Sequence, residues 1–196
     1  MTGSWIVEDS VPLQDVDLLN RLSHYFDALD QHVRAGHGWV IFNAGGARGA
    51  RIGGYIQSRL AEYHAVLSYY FVPWRDFSLN AYMVSVALQA FAPQQDALEG
   101  RAKTEFDIAS RVSRDTMVRL SASDLLVLAG LRPEHRHEVI LLDETVTRRY
   151  EQRLPTILLT PFRPDDLAST YRQIVPEARL WDQLFARLYE RNLMAV

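Results

Sequence analysis

A chain of 196 residues is long enough for one domain with a single well-filled core. With 48% hydrophobic residues, 23% charged residues, no cysteine and a formal net charge of −3, its composition excludes disulfides, thiolate chemistry and Cys-based zinc sites. The charge gives no global signal for nucleic acid, so any such binding needs a local patch. No apolar stretch is long enough to span a bilayer, and the start lacks the order of a signal peptide, so the cytoplasm is the expected location.

Met1 to Leu13 reads as an irregular arm, with a short strand hint at Ser4-Trp5-Ile6-Val7. Asp15 or Asp17 is placed to cap a helix whose apolar face is Leu18, Leu19, Leu22, Tyr25, Phe26, Leu29 and Val33, ended by Gly36. Gly38 to Phe42 is a short apolar run, read as a buried strand. Beyond a glycine-rich turn, Ile52, Tyr55, Ile56, Leu60 and Tyr63 recur at helical spacing. Ala65 to Phe71 reads as a second strand, Pro73-Trp74-Arg75-Asp76 as a turn, and Asn80 to Phe91 as a mostly buried helix. The segment from Pro93 to about Gly100 breaks the pattern and is expected to be flexible. A polar helix over Thr104 to Leu120 precedes a third strand, Asp124 to Ala129. His135 to Arg153 is spaced for one buried helix side, and Pro155 to Thr160 is a fourth strand. A short helix capped by Asp165, a helix over Ala178 to Leu188, and either a closing strand or a frayed tail from Asn192 to Val196 complete the reading. Strands alternating with helices predict an α/β fold with a mainly parallel sheet. The expected organisation is one domain: an N-terminal arm and helix over 1–36, a core over 37–160, and C-terminal helices over 161–196.

The turn between the first strand and its helix, Gly45-Gly46-Ala47-Arg48-Gly49-Ala50-Arg51-Ile52, has the layout of a P-loop, whose backbone amides cradle phosphates. The pattern G-x-x-x-x-G-K-[ST] keeps its first glycine, Gly45. Ala50 replaces the second glycine, Arg51 the lysine, and Ile52 the hydroxyl residue that would hold Mg²⁺.

Four blocks in order resemble the DnaC/IstB-like AAA+ ATPases, a family of helicase loaders and transposition ATPases. They are Trp39 to Ile52 at the Walker A position, Leu67 to Trp74, Ser123 to Leu131 at the Walker B strand, and Arg148 to Thr160 at the helix and strand of the first sensor. The resemblance implies a three-layer P-loop AAA+ domain with a mainly parallel sheet and a reduced or absent lid. The departures fall on the catalytic positions. Ala129 and Gly130 stand where the family has its Asp-Glu pair. The Asn after the fourth strand is replaced near Thr160-Pro161, and Gln183 stands for an arginine of the C-terminal motif. Val139 to Glu144 also ends an apolar run in Asp-Glu, but it lies too close to Pro155 to leave room for a crossover helix and reads as helix itself.

The resemblance therefore implies a catalytically degenerate AAA+-like protein, a pseudo-ATPase that acts as a binding or regulatory subunit in DNA replication, recombination or transposition. The implied partners are a replicative helicase, an AAA+ partner or a second copy, with no cofactor required. Two alternatives stay open. Arg48 and Arg51, beside Gly45, Gly46, Gly49 and Ile52, can still grip the phosphates of ATP or ADP in a nucleotide switch completed by a partner. Arg148, Arg149 and Arg153 can form a DNA-facing patch, joined by Arg48 and Arg51 in a direct DNA-binding module, or an inter-subunit patch, or simply a solvated helix face. His135 and His137 lack acids at a set spacing, so no metal site is expected.

Overall fold

The computed structural model describes residues 13–91 and 98–196; the strand hint at Ser4 to Val7 and most of the expected flexible segment lie outside them. The chain runs α1 (Leu13–Asp27), α2 (Leu29–Ala35), β1 (Gly38–Ile41), α3 (Gly46–Ala61) and β2 (Tyr69–Pro73). Next come α4 (Trp74–Tyr82), a π-helical turn (Met83–Ala87), α5 (Leu88–Phe91), α6 (Gly100–Ala122) and β3 (Leu125–Ala129). α7 (Arg136–Glu151), β4 (Thr156–Leu159), α8 (Pro164–Ile174), α9 (Ala178–Arg191) and β5 (Asn192–Ala195) follow. The strands form one sheet in the order β2-β3-β4-β1-β5, with every neighbouring pair parallel.

Both faces of this sheet are covered, which is why its strands read as continuous apolar runs. Alternation divides each run between two cores. Trp39, Ile41, Leu125, Val127, Ile157 and Leu159 pack with α1 and α3. Val40, Phe42, Leu126, Leu128 and Leu158 pack with Leu142 of α7, Leu167 of α8 and Trp181 of α9 on the other face. Leu22, Phe26, Ile56 and Phe77 are fully enclosed by these layers.

Several boundaries differ from expectation for local reasons. The first helix breaks at Ala28, and Gly36 closes α2 in the left-handed region at φ 73°. β2 starts at Tyr69 because Ser68 and Asp124 clamp the heads of β2 and β3. The Ser68 backbone N–H and hydroxyl donate to Asp124 Oδ2 at 2.9 and 2.6 Å, and the Asp124 N–H donates back to Ser68 Oγ at 3.0 Å. The expected turn at Pro73 is the start of α4, with Pro73 extended at the cap and Asp76 favouring the helix N-terminus. Trp74 then stacks on Phe77 at 4.8 Å. The π-helical turn falls on the β-branched stretch around Val84 and Val86. Pro164, not Asp165, opens α8, with Arg163 at the cap. β5 is the closing strand, and Val139 to Glu144 is helical within α7.

The N-terminal ends of β3 and β4 meet at Arg149, which is 1% exposed. Its Nε donates to Thr156 Oγ1 at 3.0 Å, its Nη1 to Leu120 O and Ser123 O at 3.1 and 2.9 Å, and its Nη2 to Pro155 O at 2.7 Å. Burial lowers its pKa to about 10, against the opposing pull of Asp124, so it remains charged at neutral pH. Replacing Arg149 with Met strands the buried carbonyls of Leu120 and Ser123, each worth about 1–3 kcal/mol, while Pro155 O keeps the Leu126 N–H at 3.3 Å. Urea unfolding of Arg149→Met is expected to show a loss of about 3 kcal/mol or more, and Arg149→Lys a smaller one.

Near the start of β1, His32 stacks on Tyr25 at 4.5 Å, and the Tyr25 hydroxyl donates to His37 O at 2.8 Å. Burial, then the neighbouring His37, holds the His32 imidazole below its ordinary pKa. The unfolded chain therefore binds a proton first as pH falls below about 6.5, and stability drops with pH in that window. Melting curves at pH 7.5 and 5.5 should show this drop, and His32→Gln should reduce it.

Candidate functional site

The C-terminal ends of β1, β3 and β4 open onto a cavity of about 420 Å³ lined by Ala44, Gly45, Gly46, Gly49, Ala129, Gly130, Arg132, Leu159 and Pro161. Crevices at the carboxyl ends of parallel strands are where such sheets take ligands. Main-chain bonds stitch the rim together. The Thr160 N–H donates to Ile41 O at 2.9 Å, Ala44 N–H to Thr160 O at 2.8 Å, and Asn43 N–H to Phe162 O at 3.0 Å. The N–H groups of Gly130 and Leu131 both donate to Leu159 O, at 2.9 and 2.7 Å. Asn43 at φ 54° and Gly130 at φ 82° supply the left-handed bends this rim needs.

The glycine-rich turn is tighter than its sequence suggests. Helix α3 begins at Gly46, not after Arg51, so most of the expected phosphate-binding loop is wound into the first helical turns. Ala47, Arg48, Ala50 and Arg51 are good helix formers and explain this. Gly49 is pressed so closely on the preceding loop that an added Cβ would lie 2.3 Å from Ala44 O.

Arg48 and Arg51 do not line the cavity. Both reach α1, where Arg48 Nε donates to Asp15 Oδ1 at 2.7 Å and Arg51 Nη2 to Asp15 Oδ2 at 2.6 Å. Asp15, expected as a cap, is a buried carboxylate inside the first turn of α1. Ile52 is 1% exposed and packs in the core with α1. Gly45, Gly46 and Gly49 do line the cavity, as do Ala129 and Gly130 from the end of β3. Thr160, at the expected sensor position, is fully buried, and its hydroxyl donates to Leu131 O at 2.8 Å.

These residues do not fit a Mg²⁺–nucleotide. Among the nine lining residues there is no carboxylate and no hydroxyl to hold the metal shell, and the one charged side chain is Arg132. In the sequence Arg132 belongs to a loop cluster with His135, Arg136 and His137 that reads as solvated, and nothing there marks it as facing a cavity. It sits in the loop after β3, with its guanidinium 5.7 Å from the Phe162 ring centre. Glu138, 2% exposed, holds that loop by accepting the N–H groups of Glu134 and His135 at 2.6 and 2.8 Å. The Ser78 hydroxyl also donates to Glu138. Glu138 closes a capping box with His135, a residue that is not one of the usual caps, so the sequence does not mark it.

The three arginines at and just past the end of α7 are divided. Arg148 and Arg153 are exposed, whereas Arg149 is the enclosed staple at the base of the sheet and cannot join a surface patch. His135 and His137 stack at 5.3 Å, and among the described residues no group of three His, Asp or Glu side chains is placed to hold a metal ion. No helix among the described residues is long and apolar enough to cross a membrane.

The five-stranded parallel sheet, the helix rising from β1 and the cavity at the strand ends together make a three-layer α/β domain. Its fold is DnaC/IstB-like. A crystal structure of the DnaC helicase loader matches with a TM-score of 0.59 at 16% identity, over 95% of this chain and 91% of that one. A crystal structure of a DNA replication initiation factor matches with a TM-score of 0.52 at 12% identity, over 96% of this chain but 48% of the other. No protein-family model and no curated protein matches the chain.

The packing of α3 gives a paired test. Gly49→Ala forces a Cβ against backbone and should cost about 1–3 kcal/mol. Gly54→Ala meets nothing within 4 Å on the same helix and should gain about 0.5–1 kcal/mol. Chemical unfolding of the two variants reads both signs.

Proposed function

We propose that this chain is a non-hydrolysing AAA+-type subunit that works by binding. It docks on a replicative helicase or an AAA+ partner, a second copy included, during cytoplasmic DNA replication, recombination or transposition. The observation that carries this reading is the cavity at the strand ends, whose lining offers neither a metal-holding carboxylate nor a base. Hydrolysis of a nucleoside triphosphate needs Mg²⁺ ligands, a group to orient water and cations on the developing charge. Loss of a single such group typically costs about two to three orders of magnitude in rate.

The end-to-end likeness to a helicase loader supports the choice of partner. The chain keeps the sheet, the helix layers and the rim on which such a domain presents its contact surfaces, and supplies position without turnover. No cofactor is required for that role, and ATP or ADP is at most a metal-independent ligand. Any DNA contact from these three arginines falls to Arg148 and Arg153, because Arg149 is enclosed.

The test is calorimetric titration with ADP and ATP, each with and without Mg²⁺, alongside phosphate release and binding to an immobilised replicative helicase. The expected result is no Mg²⁺-dependent binding, no phosphate release above background, and helicase binding that needs no nucleotide. Mg²⁺-dependent ATP binding with phosphate release would sink the reading.

A further inference from the structure

Arg48 and Arg51 leave α3 three residues apart, which places both on one helix face. They end on the two oxygens of one carboxylate, Asp15, at 2.7 and 2.6 Å. The Asp15 side chain is 3% exposed, while those of Arg48 and Arg51 are 19% and 39% exposed. Two guanidiniums thus share one carboxylate, and one positive charge is left over. The hydrogen bond from Arg51, joined by the bond and charge of Arg48, outweighs burial and holds the Asp15 carboxyl below the usual carboxylate range. It is therefore ionised at neutral pH.

This triad stands beside the cavity but outside it. Arg48 directly precedes Gly49, a lining residue, and its Nη1 donates to Phe42 O at 3.0 Å, two residues before the lining Ala44. The carboxylate comes from a different helix, which is anchored independently by Leu18, Leu22, Tyr25 and Phe26 in the core. Docking of α1 therefore has anchors besides the triad.

We propose that Asp15 is a built-in counter-anion that keeps Arg48 and Arg51 from a phosphate-bearing ligand at the cavity rim. The proposal rests on the reading of that cavity as a nucleotide-type site without its hydrolytic groups. Guanidinium pairs carboxylate and phosphate with the same fork of donors. An outside phosphate must therefore displace an internal carboxylate whose effective concentration is high because it is tethered in place. Neutralising Asp15 opens the pair.

The experiment titrates inorganic triphosphate, without metal, into the full chain at fixed ionic strength. It compares wild type, Asp15→Asn, and the triple variant Asp15→Asn/Arg48→Gln/Arg51→Gln. Asp15→Asn is expected to bind about tenfold tighter or more than wild type. Its affinity should fall more steeply with salt, and the triple variant should lose the gain. Equal affinities of wild type and a folded Asp15→Asn overturn the proposal. Should Asp15→Asn not fold, the Arg48 Nε–H signal of wild type decides the matter by NMR. A signal unmoved by millimolar triphosphate supports the latch, and one that shifts at micromolar triphosphate overturns it. Phosphate release from ATP by wild type would sink the non-hydrolysing reading while leaving the difference between wild type and Asp15→Asn to be read on its own.

Discussion

A guanidinium enclosed at the base of the sheet sets the register on which everything above it rests. Arg149 collects carbonyls from the end of α6, the approach to β3 and the approach to β4, together with the hydroxyl of Thr156. An arginine suits this position because its donors lie in a rigid planar fork and reach several acceptors at once. Its burial is costly for a charge without a paired carboxylate, and the lowered pKa records that cost. The gain is that β3 and β4 start level with each other, so their far ends finish level as well. The cavity rim is built on those far ends.

The opposite edge of the sheet is held differently. There the loops after β1, β3 and β4 are joined by backbone hydrogen bonds, with Leu159 O accepting two N–H groups and Thr160 bonded through both its N–H and its C=O. Backbone bonds do not depend on which side chain each residue carries, apart from the left-handed bends at Asn43 and Gly130. An acidic pair at Ala129 and Gly130 is thus not needed to keep the rim in shape. Gly130, at φ 82°, is in a conformation that strains a residue with a side chain. The frame and the side chains lining the cavity are physically separable, and here the frame stands with no carboxylate among the lining residues.

The fold was legible because burial on both faces turns each strand into an apolar run, and the helices between them keep a 3.6-residue stripe. Val127, Leu128, Ile157 and Leu158 announce themselves in this way. Boundaries were less legible where a distant partner decides them. The Ser68–Asp124 clamp moves the start of β2, and nothing near Ser68 in the chain reveals Asp124. The site was legible as a place and not as an arrangement. Gly45, Gly46, Gly49, Ala129 and Gly130 do meet at one cavity, since the order of strand, turn and helix dictates where they fall. Arg149 was misread with its exposed neighbours because a charged residue in a charged run looks solvated, and only the fold brings carbonyls to it. Arg48 and Arg51 leave a phosphate grip open in the sequence because their partner Asp15 lies more than thirty residues earlier, where it looks like a helix cap.

That pair shows how local pattern and tertiary electrostatics compete over one short segment. The glycines at positions 45, 46 and 49 favour an open turn, while the alanines and arginines between them favour a helix. Asp15 tips the balance, because its two oxygens are matched by guanidiniums spaced one helical turn apart, and that spacing exists only if the segment is wound. The helix in turn brings Gly49 against Ala44 O, a contact that only a glycine permits. A single carboxylate on α1 is thus consistent with the early start of α3, with the diversion of both arginines and with the bare lining of the cavity.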